Sequence, residues 1–286
     1  MISDITLGQF FPGSSPIHRL DPRSKILISI VFIVTVFIAD NPASFLFLTL
    51  STLTLVFVSG ISFKVVIKGI KPIIIIVLIT ALINVFMTKG EGAPLLSFWI
   101  ISIYTEGIVR AVFMALRVIV LIIGSSILLT YTTSPISLTD GLESLLSPLK
   151  AIKVPVHTIA MMMSIALRFI PTLVEETDKI MNAQKSRGAD FSSGGLIKRA
   201  KSLIPILIPL FVSSFKRAEE LAVAMESRCY RGDKNRTKLV KLQYRSLDFA
   251  FFAMTLLFLG GMIVLVILPQ RLGVLGEFFE VLFYRI

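Results

Sequence analysis

Residues 249–268 run for twenty positions without a charged side chain. That is about the length a helix needs to cross the hydrocarbon of a bilayer. Lipid offers no partner to backbone amides, so such a run is expected to satisfy them internally, as a helix. Similar runs occur at residues 26–39, 43–59, 72–88 and 108–130. Composition points the same way: the chain is 55% hydrophobic and 16% charged, with a mean hydropathy of +0.85. Soluble domains carry about a quarter charged residues. The 286-residue chain is therefore expected to be an all-α polytopic membrane protein with about five transmembrane helices.

The punctuation between runs sets the segments. Asp40-Asn41-Pro42 is turn chemistry and splits the first two runs into a helical hairpin. The first run is short, but extending it back to Pro22 lengthens it, since proline suits a helix's first turn. Gly60 to Lys71, with Lys64, Lys68 and Lys71, reads as a loop. Residues 89–107 are mixed. Trp99 and Tyr104 suit a membrane interface, and residues 95–103 read as an interfacial or re-entrant piece too short to span. The first twenty residues are polar and rich in proline and glycine, so no cleavable leader is expected.

Basic residues are concentrated in one region. Residues 132–246 hold 18 of the 29 lysines and arginines. Three segments follow: 1–131 with four spans, a cytoplasmic arm at 132–246, and 247–286 with the last span and an external tail. Outside the N-terminal segment, the 60–71 loop, the fourth span and the arm, only Lys89, Arg271 and Arg285 are basic. The positive-inside rule then places the N-terminus and the arm in the cytoplasm. It also accounts for the formal charge of +11 without a nucleic-acid partner. The basic stretch Lys234–Lys241 beside the last span is suited to anionic lipid. Asn235-Arg236-Thr237 matches a glycosylation pattern by coincidence, since it falls on the cytoplasmic side.

Several functions lack their chemistry. Cys229 is the one cysteine, and His18 and His157 the two histidines, too few for a convincing metal centre. There is no Gly-x-x-x-x-Gly-Lys-Ser/Thr, His-Glu-x-x-His or Gly-x-Ser-x-Gly, so neither ATP hydrolysis nor an intramembrane enzyme is expected. Arg110 and Arg117 in the fourth span are costly in lipid and could line an anion path. They carry the alternative reading, a stand-alone secondary transporter or channel. The large basic arm and the absence of inverted halves oppose it.

The arm contains two long amphipathic segments. One runs from about Val156 to Arg187, with a stripe of Ile159, Met162, Met163, Phe169, Ile170, Leu173, Ile180 and Met181. The other runs from about Leu196 to Arg228, with a stripe of Leu196, Ala200, Leu203, Leu207, Phe211, Phe215, Leu221, Ala222 and Met225. Pro205 and Pro209 should bend it. The Met161-Met162-Met163 run reads as core. Both segments close alike, the first on Ser186-Arg187-Gly188 and the second on Ser227-Arg228-Cys229. Arginine is favoured at any helix C-terminus by the partial negative charge there. Two matched ends about forty residues apart suggest more, a pair of plugs for two similar sockets. The rigid guanidinium fork suits carboxylates and helix-end carbonyls.

This doublet resembles the paired Ala-Arg-Gly signatures of the transmembrane (T) components of energy-coupling factor (ECF) transporters. The segment Asp21-Pro22-Arg23-Ser24-Lys25 resembles that family's Asp-Pro-Arg-x-Lys motif before the first span. Serine stands for alanine twice, and Cys229 stands where glycine is usual. The resemblance covers nearly the whole chain. It implies a non-catalytic coupling subunit of an ATP-driven importer of a vitamin or metal ion. Two cytoplasmic ATPase subunits would bind ATP and magnesium, and a separate small membrane subunit would bind substrate. Arg187 and Arg228 would seat in the two ATPases. In an ordinary ABC permease the same chain would carry the substrate, and one short coupling segment would suffice.

Overall fold

The computed structural model describes residues 10–88, 96–98, 101–191, 195–230, 232 and 242–272. It contains two compact units. One is built from Gln9–Gly141 and Leu242–Ile286, the other from Leu142–Lys241.

The first unit is a helical bundle. Helix α1 spans Pro22–Ile38 and α2 spans Pro42–Ser59. The turn between them is closed by Ser44, whose Oγ accepts from the Asn41 amide at 3.0 Å and donates to the Asn41 carbonyl at 2.6 Å. Gly60, at φ 68°, ends α2 in the left-handed region that glycine adopts without penalty. Helix α3 (Phe63–Ile70) passes through a 3-10 turn at Lys71–Ile73 into α4 (Ile74–Met87). The expected loop at 60–71 is thus largely helical. Lys64, Lys68 and Lys71 fall four and three residues apart, so they share a face while Val66 is buried opposite. Helix α5 (Thr105–Ser125) continues into a π turn at Ser126–Tyr131, and α6 spans Pro135–Leu145. Helix α10 (Ser246–Leu272) completes the bundle.

Helix α1 is the bundle's centre and packs on α5, the π turn and α10. Its Phe32 and Val36 are buried with Phe45, Leu48, Ile127, Leu128 and Met262. Aromatic rings stack through this core, Phe32 and Phe47 on Phe258, and Phe45 on Phe113 at 4.7 Å. Gly124 of α5 lets the helices close: a Cβ there would lie 2.2 Å from the Phe32 ring.

The stretch expected to be interfacial or re-entrant forms a short antiparallel pair, Leu96–Phe98 with Ile101–Ile103, with Leu96 opposite Ile103. Its β-branched and aromatic content fits a strand, and it is too short to repay helix nucleation. Trp99 lies outside the described residues, as do Lys234–Lys241 and the Asn235-Arg236-Thr237 sequon.

In the second unit, a 3-10 stretch at Ser147–Ile152 leads to α7 (Val156–Ser186), α8 (Leu196–Ser202) and α9 (Ile204–Ser227). The second expected arm helix is thus broken at Leu203, two residues before Pro205, where proline disfavours a continuous helix. Helices α7 and α9 pack together. A buried pair, His157 Nδ1 and Glu143 Oε1 at 2.9 Å, fixes the start of α7.

Among the described residues, five helices are long and apolar enough to cross a membrane: Pro42–Ser59, Phe63–Met87, Thr105–Tyr131, Val156–Ser186 and Ser246–Ile267. The number agrees with the sequence reading, but one member differs. Helix α1, expected to span, has 17 residues. At 1.5 Å per residue it covers about 25 Å, one residue short of α2. Helix α7, expected to be wholly cytoplasmic, qualifies because its first half, Val156 to Leu173, has Arg168 as its one charged residue.

Candidate functional site

The two arm helices end in the same backbone structure. Helix α7 stops at Ser186 with Arg187 as its cap, at φ −89° and ψ 6°. Gly188 follows at φ 87°. Its amide donates to the Lys185 carbonyl at 2.9 Å, and the Ala189 amide donates to the Gln184 carbonyl at 3.0 Å. Helix α9 stops at Ser227 with Arg228 as its cap, at φ −91° and ψ 16°. Cys229 follows at φ 56°. Its amide donates to the Glu226 carbonyl at 2.9 Å, and the Tyr230 amide donates to the Met225 carbonyl at 3.0 Å. Both are Schellman motifs, with the residue after the cap left-handed and the next amide reaching back five residues. Ser186 and Ser227 turn their hydroxyls back to helix carbonyls, at 3.1 Å on Asn182 and 2.9 Å on Val223.

This local folding leaves the two arginine side chains free of capping. A Schellman motif satisfies the last carbonyls with backbone amides. The arginines are therefore not needed as caps. Both are exposed, and neither guanidinium has a partner among the described residues. Each end presents five unpaired donors in a rigid fork at the tip of a long helix.

The N-terminal motif is a buried clasp within the bundle. Asp21 caps α1 by accepting from the Arg23 amide at 2.9 Å, and it holds the Arg23 guanidinium with Nε and Nη2 each at 3.1 Å. Pro22 opens the helix at a position that needs no amide. Arg23 also lies over the Tyr244 ring, 4.2 Å from its centroid. Lys25 is 2% exposed, and its Nζ donates to the Thr132 carbonyl at 2.7 Å and the His18 carbonyl at 3.4 Å. Asp248, also 2% exposed, accepts from the amides of Asp21 at 2.8 Å and Arg245 at 2.7 Å. The clasp thereby joins the starts of α1 and α10 to the end of the π turn. His18 completes it. Its Nδ1 lies 2.6 Å from Ser15 Oγ and its Nε2 is 3.0 Å from the Phe11 carbonyl. Burial holds the His18 pKa below its ordinary value, as does the charge of Lys25, against the Phe11 hydrogen bond.

Other expected features fall differently. Arg117 donates to the carbonyl of Ala39 at the end of α1, with its guanidinium 5.4 Å from the Phe45 ring. It closes the α1–α2 hairpin, since helix-end carbonyls lack partners within the helix. Arg110 is exposed on the same helix. Two of the three methionines lie outside the core: Met162 is 54% and Met163 43% exposed, while Met161 is half-buried. Along the second stripe, Leu203, Leu207, Phe211 and Phe215 are also exposed, the last two more than 60%. The N-terminal parts of both stripes thus face out of the chain, whereas Phe169, Leu173, Ile180, Leu221 and Met225 are half-buried, at helical spacing from the contact between α7 and α9.

Two parts of the arrangement were not anticipated. Asp248 is one acidic residue at the head of an apolar run, and nothing local marks it as the partner of Asp21, 227 residues away. On the packed face of the arms, Glu176 of α7 accepts from Ser213 Oγ of α9 at 2.6 Å and is paired with Arg217. A signal for this pair did exist, because Glu176 and Arg217 stand the same distance before Arg187 and Arg228.

Comparison with known proteins places the chain. The family described as "Cobalt transport protein" matches residues 13–239. A protein of Clostridium kluyveri is 57% identical over 249 residues, which is 87% of this chain and 92% of that protein. One from Ruminiclostridium cellulolyticum is 53% identical over 265 residues, 93% of this chain and 98% of that one. One from Bacillus subtilis is 49% identical over 248 residues, 87% and 93% respectively. Each is named energy-coupling factor transporter transmembrane protein EcfT. With its apolar helices and the doubled helix ends, this chain belongs to that family, the transmembrane components of energy-coupling factor transporters.

Proposed function

We propose that the chain couples two cytoplasmic ATPase subunits to a separate small membrane subunit that binds the substrate. The observation that carries this reading is the repeated helix end. Two exposed arginines, each released from capping duty by a Schellman motif, are suited to two like sockets lined by carboxylates or carbonyls. The chain itself is non-catalytic, and ATP and magnesium belong to the ATPases. Ser186, Gly188, Ser227 and Cys229 shape the turns that aim Arg187 and Arg228.

In this reading the N-terminus and the arm tips are cytoplasmic, in the cell membrane of the host. The exposed apolar first halves of α7 and α9 lie against the bilayer or the substrate-binding subunit. Their polar second halves descend to the ATPases. The cargo is a vitamin or a metal ion. The family description names cobalt, while the names of the curated relatives specify no cargo. The N-terminal clasp, Asp21 to Lys25, is a structural lock for the bundle. A secondary transporter working through Arg110 and Arg117 is disfavoured, because Arg117 is committed to the Ala39 carbonyl.

The test is purification of the tagged chain from solubilised membranes, as wild type and as Arg187→Glu/Arg228→Glu. Two ATPases and a small membrane protein should accompany the wild type, and the double variant should lose the ATPases. A wild type that purifies alone and moves solute without ATPases would overturn the reading.

A further inference from the structure

Glu176 and Arg217, the ion-paired residues where α7 meets α9, occupy equivalent positions in the two arms. Glu176 lies eleven residues before Arg187, and Arg217 eleven residues before Arg228. When two equivalent positions touch each other, the elements that carry them are related by a local two-fold axis through the contact, as in any isologous interface. The arms therefore meet at about the same distance from both tips, to within the one turn that separates Ser213 from Arg217. At 1.5 Å per residue each lever is about 16 Å long, so the arginines can be at most about 33 Å apart. Within that limit the crossing angle alone decides their spacing.

The levers are also built to be straight. Proline kinks a helix by removing an internal hydrogen bond and crowding the preceding turn. Pro171 and Pro209 both lie on the N-terminal side of the crossing. Neither the stretch 177–186 nor the stretch 218–227 contains proline or glycine. Bending is thus confined to the apolar halves, and the halves that carry the arginines move as rods.

We propose that Glu176, held by Ser213 and Arg217, is a positioning residue that fixes the separation of Arg187 and Arg228 to match a partner whose two sockets are related by a two-fold axis. This deepens the coupling reading above and rests on it. The pair touches neither partner and acts only through the arm geometry.

Spin labels at Lys185→Cys and Glu226→Cys, in a Cys229→Gly background, report the tip separation by pulsed electron resonance in the full chain in nanodiscs. The wild-type clamp should give one narrow distance. Glu176→Ala should broaden or shift it, Glu176→Gln should do so less, and the swap Glu176→Arg/Arg217→Glu should restore it. In reconstituted vesicles with the ATPases, Glu176→Ala should lower uptake per ATP hydrolysed about tenfold, and the swap should recover it. A distance distribution unchanged by Glu176→Ala overturns the proposal, and so does a broadened one with uptake unaffected. The distance is measured on the chain alone, so a wild type that captures no ATPase overturns the coupling reading by itself and is told apart from failure of the clamp.

Discussion

Cys229 is held at φ 56°, where the Cβ of an L-residue crowds the next carbonyl. Its counterpart Gly188 has no such cost, and a Cβ built there meets nothing within 4 Å. Cys229→Gly should therefore stabilise the chain by about 1 kcal/mol, and Gly188→Ala should destabilise it by a similar amount. Thermal unfolding in one detergent would check both signs. Asp248 is a stronger case, because removing its carboxylate strands the buried amide of Asp21 and the part-buried amide of Arg245. Asp248→Ala should cost about 2–4 kcal/mol, and Asp248→Asn less, as the amide oxygen can still accept. His18 adds a pH dependence. Its folded-state pKa lies below the unfolded value, so the native state prefers the neutral ring. Its contribution is fully present above the unfolded pKa and is lost as pH falls below it. Melting temperature should drop below about pH 6 more steeply in wild type than in His18→Gln.

At the scale of elements, packing decides what pattern leaves open. Helix α5 closes on α1 because position 124 has no side chain. In Gly124→Ala the better helix former meets the Phe32 ring, and overpacking should outweigh the propensity gain of about 1 kcal/mol. A net loss of about 1–2 kcal/mol is expected, with Phe32→Leu/Gly124→Ala recovering part of it in the same melts. The apolar runs were legible because lipid and core both demand them. The α3 helix was hidden because three lysines in twelve residues resemble a loop until their spacing is read as a helical face. The stripes of α7 and α9 were legible as stripes. Which side of each helix they cover was not, since periodicity marks an apolar face without naming its partner.

For the whole molecule, stability and coupling should separate. Arg187 and Arg228 are exposed and have no partner among the described residues, so Arg187→Glu/Arg228→Glu should change the unfolding free energy by less than about 0.5 kcal/mol. The same variant should abolish ATPase capture in the purification described above. Loss of stability together with capture would instead mean that the tips hold the arm unit's fold. The clasp variants should behave in the opposite way, lowering the melting temperature through the bundle unit alone.

Hydrophobic run length by itself determined that this chain is a helical membrane protein, because hydrocarbon leaves the backbone no other partner over twenty residues. The doubled Ser-Arg-small endings were likewise present in the sequence, since a helix stop is a local event written within six residues. Tertiary structure decided the rest. It showed that Cys229 takes the left-handed conformation its glycine counterpart takes and that Arg117 serves a backbone carbonyl. It also showed that Asp248 closes the Asp21 motif and that Glu176 meets Arg217. Each of these joins groups that are distant in sequence or depends on a dihedral angle, and neither leaves a periodic trace. Only the folded chain brings such partners within the 3 Å over which hydrogen bonds act.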